Sequence, residues 1–337
     1  MVIDFEPISM EVIKDAHSRI KPFIKRTPIM SSNILNQWLG HEVFFKAETL
    51  QTTGAFKIRG ALNTLLSLKE QGKLPKQVVA FSSGNHAQAV AYAATLLGVP
   101  ATIFLPEFAS KIKQQATARY GAKVINTKSR QEAEARTLEL SREGAYAIHP
   151  YDNDLVIAGQ GTASYEAFQD VAGVNAIFTP CGGGGLTCGA YLTAQLLSPK
   201  TKVFGCEPLM ANDATRSYQT GNIVKLADTP KTIADGVRTL AVSERTFYYL
   251  KKLNGFIEAT EDEIVYWTQW LSHLLKITVE PTSALAMACG YKWLAEQNTK
   301  QRVLVLLTGG NIDPETERLI WQNDWLQKVP VKLLSLL

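Results

Sequence analysis

What the sequence has little of narrows its function first. Its 337 residues hold only four cysteines, Cys181, Cys188, Cys206 and Cys289, with no CxxC pair among them. That argues against a zinc site and, in a chain long enough to bury its own core, against a disulfide framework. They read as buried free thiols. No apolar run approaches the roughly 18 residues that a membrane helix needs, and the opening MVIDFEPISMEVIKD mixes acidic with apolar residues, unlike a signal peptide. A cytoplasmic protein with no membrane partner is expected. Neither sign of charge is in excess: the net charge is +4, spread along the chain, with no Lys/Arg cluster to follow a phosphate backbone. Nucleic acid is therefore not an expected partner, and a small molecule is. Repeats, low-complexity tracts and Ser/Gly/Pro linkers are missing too, so a domain boundary has to be inferred from packing units.

What is there is an ordinary globular composition, 46% hydrophobic, with a regular alternation of elements. Short apolar runs (EVFFKAE, QVVAFSS, ATIFLP, AKVINT, AIFTPCGGGG, KVFGCEP, VLVLLTGG) recur between longer helical patterns. This predicts an α/β fold with parallel sheets covered by helices. Several strands run straight into glycine or small polar residues, and open α/β sheets bind ligands at the carboxyl ends of their strands. Residues 76–149 carry their own strand and helix alternation and form a small domain in this reading. Residues 1–75 and 150–337 form the large one.

Four segments carry chemistry. In the first, Lys57 follows Gly54, Ala55 and Phe56 and opens the helical pattern KIRGALNTLLSLKE. A lysine in an apolar setting has a lowered pKa and can join a carbonyl cofactor, though a lysine ahead of a helix is commonly just solvated. In the second, Ser82-Ser83-Gly84-Asn85-His86 sits between the strand VVAF and a helix, where backbone N–H groups point at a bound anion such as a substrate carboxylate. A plain helix cap with His86 packed inside fits this segment equally well. The third, Cys181-Gly182-Gly183-Gly184-Gly185, follows AIFTP and precedes a helix. Successive glycines are unfavourable by about 0.5–1 kcal/mol each relative to alanine, and a nest of N–H groups around one phosphate supplies a reason for them. The spacing is not GxGxxG, which disfavours a dinucleotide. The fourth, Thr308-Gly309-Gly310-Asn311, ends the strand RVLVLL and reads either as a turn or as a hydroxyl set to meet a ligand.

Together, in this order and spacing, these segments resemble the fold-type II pyridoxal-5'-phosphate (PLP) enzymes, which are tryptophan synthase β-like, and within them the serine racemase and threonine/serine dehydratase family. The likeness runs from KRTPIMSSNILN through the lysine block, SSGNHAQA, PCGGGG, TIADGVRT and VEPTSALA to TGGN. It implies two open α/β domains with PLP between them. Lys57 then carries the cofactor, Phe56 packs on its ring, Asn85 meets its phenolic oxygen, Gly182, Gly183, Gly184 and Gly185 hold its phosphate, and Thr308 faces its pyridine nitrogen. Ser82, Ser83, Gly84, Asn85 and His86 bind the substrate carboxylate. The family usually has serine where this chain has Thr308 and Ala55.

The segment Glu207-Pro-Leu-Met-Ala211-Asn-Asp213 resembles the divalent-cation site of the racemase branch. By that resemblance Glu207, Asp213 and the Ala211 carbonyl hold Mg²⁺, or Ca²⁺ or Mn²⁺. Ser83 is the racemase-branch residue at its position and implies proton transfer on the face opposite Lys57. The activity implied first is a lyase: a threonine/serine dehydratase converting a hydroxy-amino acid to a 2-oxo acid and ammonia. Serine racemase and 3-hydroxyaspartate dehydratase are the alternatives, β-replacement is disfavoured, and a non-catalytic PLP-binding protein is the remote one. The short stretch after TGGN predicts no C-terminal regulatory domain and no feedback by isoleucine. The family likeness implies a homodimer.

Overall fold

Apolar runs flanked by glycine or polar residues become strands, and the amphipathic stretches between them become helices. The computed structural model describes residues 8–9, 11–82, 84–107 and 111–331. In chain order these hold α1 (Glu11–Ile20), β1 (Ile29–Met30), α2 (Asn33–Leu39), β2 (Glu42–Ala47) and α3 (Lys57–Glu70). Next come β3 (Val78–Phe81), α4 (Asn85–Leu96), β4 (Ala101–Pro106), α5 (Lys111–Arg119), β5 (Lys123–Thr127), α6 (Arg130–Arg142) and β6 (Tyr146–Ala147). Then follow α7 (Asp154–Asp170), β7 (Ala176–Pro180), α8 (Gly185–Leu197), β8 (Lys202–Pro208), α9 (Asp213–Thr220), α10 (Glu244–Leu250) and β9 (Gly255–Ala259). The last are α11 (Glu261–Leu275), α12 (Pro281–Ala295), β10 (Arg302–Leu307) and α13 (Pro314–Ile320).

The strands form two sheets. One has six strands in the order β1-β2-β10-β7-β8-β9, parallel except for β1. The other has four, β5-β4-β3-β6, all parallel. Parallel sheets need helices on both faces, and β4, with every residue of ATIFLP buried, shows what that does to a strand. Apolar clusters occupy each face of the larger sheet: Phe45, Phe178, Trp267 and Leu285 belong to one, Ile157, Ile177, Leu192 and Leu304 to the other. The smaller sheet packs Val78, Ile103 and Leu105 against α3 and α4 residues such as Leu62 and Val90. All four cysteines are buried and unpaired, and among the described residues no helix is long and apolar enough to cross a membrane.

The strand ends place the functional segments. β3 ends at Phe81 and delivers Ser82, β7 ends at Pro180 ahead of the glycines, and β10 ends at Leu307 ahead of Thr308. Under Lys57, a buried ion network fixes α3. The Arg59 guanidinium donates to both oxygens of Glu48 at 2.7 and 2.8 Å, to both oxygens of Glu166 at 2.9 and 2.8 Å, and to Thr162 Oγ1 at 3.1 Å. Lys46 Nζ adds a bond to Glu166 at 2.7 Å. Burial works against the arginine's charge, but Glu48 and Glu166 outweigh it and raise its pKa.

Candidate active site

Lys57, Ser82, Gly84, Asn85, His86, Gly183 and Thr308, though distant in sequence, line one cavity of about 550 Å³. A more open groove of about 600 Å³, lined by Thr229 to Ile233, Asp262 and Trp325, adjoins it at Arg238 and contains neither the lysine nor the glycines.

Lys57 opens α3 with its side chain half-buried in the cavity. Its Nζ donates to the Pro150 carbonyl at 2.9 Å and lies 5.1 Å from the centre of the Phe56 ring. Burial, with no carboxylate among the described residues to offset it, lowers its pKa to about 8. The turn ahead of it is pinned to the β10 end: Phe56 N donates to Thr308 O at 2.9 Å, and Gly310 N to Gly54 O at 3.0 Å. Gly54 takes a left-handed φ of 71°, and a Cβ there would meet Asn311 Oδ1 at 2.4 Å. Thr308, itself buried, places Oγ1 3.1 Å from Ser283 Oγ, which donates to Gly309 O.

Asn85 is the first residue of α4. Its Nδ2 donates to both oxygens of Glu280 at 3.1 Å, and its Oδ1 accepts from Asn311 Nδ2 at 2.8 Å. Burial lifts the Glu280 carboxyl to about 7, reinforced by Asp235 and opposed by Asn85, Lys113 and Asn311. His86 is buried at 3% exposure, and its Nε2 pairs with Ile148 O at 2.8 Å. A carbonyl partner requires the proton on Nε2, and burial, then Lys57, pushes the imidazole pKa down to about 3, so it stays neutral. Ser83 lies outside the described residues.

The glycine loop leads into α8, whose N-terminus follows Gly184 at φ 92°. Its neighbour is Tyr151, a cavity residue that the sequence patterns do not single out. Glu280, Arg130 and Asp235 line the cavity too and are equally hidden in the sequence; each comes from a helix or loop far from the glycines and the lysine. VEPTSALA, which contains Glu280, and TIADGVRT, which contains Asp235, are the available signals.

The segment from Glu207 to Asp213 lies at the carboxyl end of β8. Glu207 accepts from Ala214 N at 3.0 Å and from Thr215 N and Oγ1 at 2.6 Å, so it caps the first turn of α9. Among the described residues neither buried oxygen of Asp213 has a hydrogen-bond partner of good geometry, although the Asp213 and Val242 backbone N–H groups partly offset its burial. Burial raises the Asp213 carboxyl to about 7, and burial followed by Asp213 raises Glu207 well above the usual carboxylate range. Among the described residues no group of three or more His, Cys, Asp or Glu side chains gathers as a metal site.

Comparison with known proteins agrees with this geometry. Residues 20–309 match the family described as "Pyridoxal-phosphate dependent enzyme". The L-threo-3-hydroxyaspartate ammonia-lyase of Saccharomyces cerevisiae is 43% identical, covering 89% of this chain and 92% of its own. The serine racemase of Dictyostelium discoideum is 42% identical over 91% of this chain and 95% of its own, and its crystal structure superimposes with a TM-score of 0.84. The crystal structure of maize serine racemase gives a TM-score of 0.87 at 34% identity, covering 94% of this chain and 97% of its own. With a lysine, a glycine loop and a strand-end hydroxyl lining one cavity, and with relatives matched over nearly their whole length, the chain belongs to the fold-type II pyridoxal-phosphate dependent enzymes.

Proposed function

We propose that the protein is an ammonia-lyase that removes water and ammonia from small 3-hydroxy amino acids such as serine and threonine, leaving the 2-oxo acid. The observation that carries the reading is Lys57, whose amine sits in the cavity with a pKa of about 8 and no acidic partner among the described residues. Such an amine joins a carbonyl cofactor and serves as a base near neutral pH. The cavity fits PLP: Lys57 would hold it, Phe56 flank its ring, the Gly182 to Gly185 N–H groups take its phosphate, Asn85 its phenolic oxygen and Thr308 its ring nitrogen. When bound, PLP supplies the electron sink that makes the substrate Cα proton removable. Lys57 then takes that proton, and Ser82 to His86 hold the carboxylate. Thr308 offers a hydroxyl and not a carboxylate, which does not favour a protonated ring and so favours early loss of the β-hydroxyl.

A second reading, dehydration of 3-hydroxyaspartate, is favoured by Arg130. Its Nη1 donates to Arg238 O at 2.7 Å, and Arg130 is among the residues that line the cavity, where a guanidinium donor would suit a second carboxylate. Relatives of that activity are at hand. Racemisation, the activity named for other relatives, assigns Ser83 the opposite-face proton; Ser83→Ala would then abolish D-serine formation and spare elimination.

Two neighbouring buried acidic side chains, Glu207 and Asp213, support the reading of a cation site, since a bound ion would offset the burial of their charge. We propose Mg²⁺ or a similar ion there, with the Ala211 carbonyl as third ligand. We further propose that the two sheets belong to two domains, 76–149 and the remainder, and, on family likeness alone, that the protein is a cytoplasmic homodimer.

The test is to incubate PLP-loaded protein with L-serine, L-threonine and L-threo-3-hydroxyaspartate, with and without Mg²⁺, and to measure keto acid and D-amino acid together. Keto acid from serine or threonine supports the first reading. Selective turnover of the diacid, lost in Arg130→Ala, supports the second, and neither product from any substrate rejects both.

A further inference from the structure

The glycine loop has a neighbour that its proposed phosphate does not explain. A Cβ on Gly183 would fall 2.1 to 2.3 Å from Cδ1, Cγ and Cε1 of Tyr151, and one on Gly185 would fall 3.1 Å from Tyr151 Cα and Cβ. The loop backbone is therefore laid directly on the tyrosine. Gly184 answers to its backbone angle instead, at φ 92°.

Tyr151 is held firmly in this place. Its hydroxyl donates to Ala241 O at 3.2 Å, its backbone N–H donates to His149 Nδ1 at 3.3 Å, and the His149 ring packs edge-on with centroids 4.6 Å apart. Asp152 continues the anchorage, accepting from Ser243 Oγ at 3.0 Å and Arg245 Nε at 3.1 Å. On the other side, Pro150 supplies the carbonyl that receives Lys57 Nζ. One short segment thus touches both the amine and the glycine loop. Burial lifts the Tyr151 phenol to about 12, so the ring brings no negative charge to the loop at neutral pH.

We propose that Tyr151 is a cofactor-positioning residue: its ring is the rigid support on which Gly183 to Gly185 are laid, and it sets the distance between the phosphate cradle and Lys57. This inference rests on the PLP reading of the cavity. It makes the glycine at 183 a requirement of the ring, so the two positions are coupled.

The test titrates the apoproteins with PLP and, separately, with pyridoxal, which lacks the phosphate, following the visible band of the lysine-bound cofactor. Tyr151→Phe keeps the ring and should bind PLP within about threefold of the native protein, whereas Tyr151→Ala should weaken PLP about tenfold or more and leave pyridoxal unchanged. Gly183→Ala should weaken PLP at least about tenfold in the native background but by less than about twofold when added to Tyr151→Ala, because the obstructing ring is gone. If Tyr151→Ala does not fold, Tyr151→Leu replaces it in the PLP and pyridoxal titrations only, since leucine keeps a Cγ where a Gly183 Cβ would meet it. Native-like PLP affinity in Tyr151→Ala, equal loss of PLP and pyridoxal, or an undiminished Gly183→Ala effect in the double variant would each overturn the inference alone. Absence of a lysine-bound band in the native protein would overturn the PLP reading with it.

Discussion

Lys57 illustrates how one backbone carbonyl differs from a carboxylate as a partner. Pro150 O satisfies the amine's hydrogen bond but supplies no negative charge, so burial prevails and the pKa falls to about 8. The sign for stability follows. Between about pH 8 and 10.5 the unfolded lysine binds a proton that the folded one does not, so the apoprotein gains stability from this group as pH rises through that window. Urea unfolding of native protein and Lys57→Met from pH 7 to 10 should show the native curve gaining on the variant as pH rises; parallel curves would mean the amine is not shifted. The same variant should retain no cofactor after borohydride reduction, checked by mass.

At the scale of elements, α3 is held by the Arg59 network, and every guanidinium N–H is used. Arg59→Met would leave Glu48 and Glu166 buried without their main counter-charge and should destabilise by about 3–5 kcal/mol, while Arg59→Lys, lacking the planar fork, should fall between. Denaturant midpoints of the apoproteins measure this; a Met variant as stable as native would show the network to be replaceable. The elements themselves were legible in proportion to their burial. ATIFLP and VLVLL announce β4 and β10 because a central parallel strand is apolar on both faces. β1 and β6 have two residues each, and β9 is a half-buried edge strand, so none of them imposes a pattern. The site was legible where a motif opens a helix, as with Lys57, or follows a strand, as with the glycines and Thr308. It was not where the contribution is a carbonyl, as at Pro150, or a ring brought in from another element, as with Tyr151.

Across the whole molecule, the cavity is spanned by contacts joining the elements of the four-stranded sheet to the rest. Lys113 of α5 pairs with Asp235, Arg130 of α6 donates to Arg238 O, and Asn85 of α4 donates to Glu280. Glu280 is the most deeply buried member, and its pKa of about 7 reverses the usual carboxylate dependence. Between about pH 4.5 and 7 the folded protein holds a proton on Glu280 that the unfolded chain releases. This group's contribution is therefore complete below about 4.5 and is lost as pH rises through about 7. Glu280→Gln keeps an amide-sized group with no titration, so the native protein should lose stability relative to this variant as pH rises from 5 to 8. If the difference instead stays constant, Glu280 remains ionised throughout, and Asn85, Lys113 and the Asn311 N–H together are enough to hold its charge in the cavity.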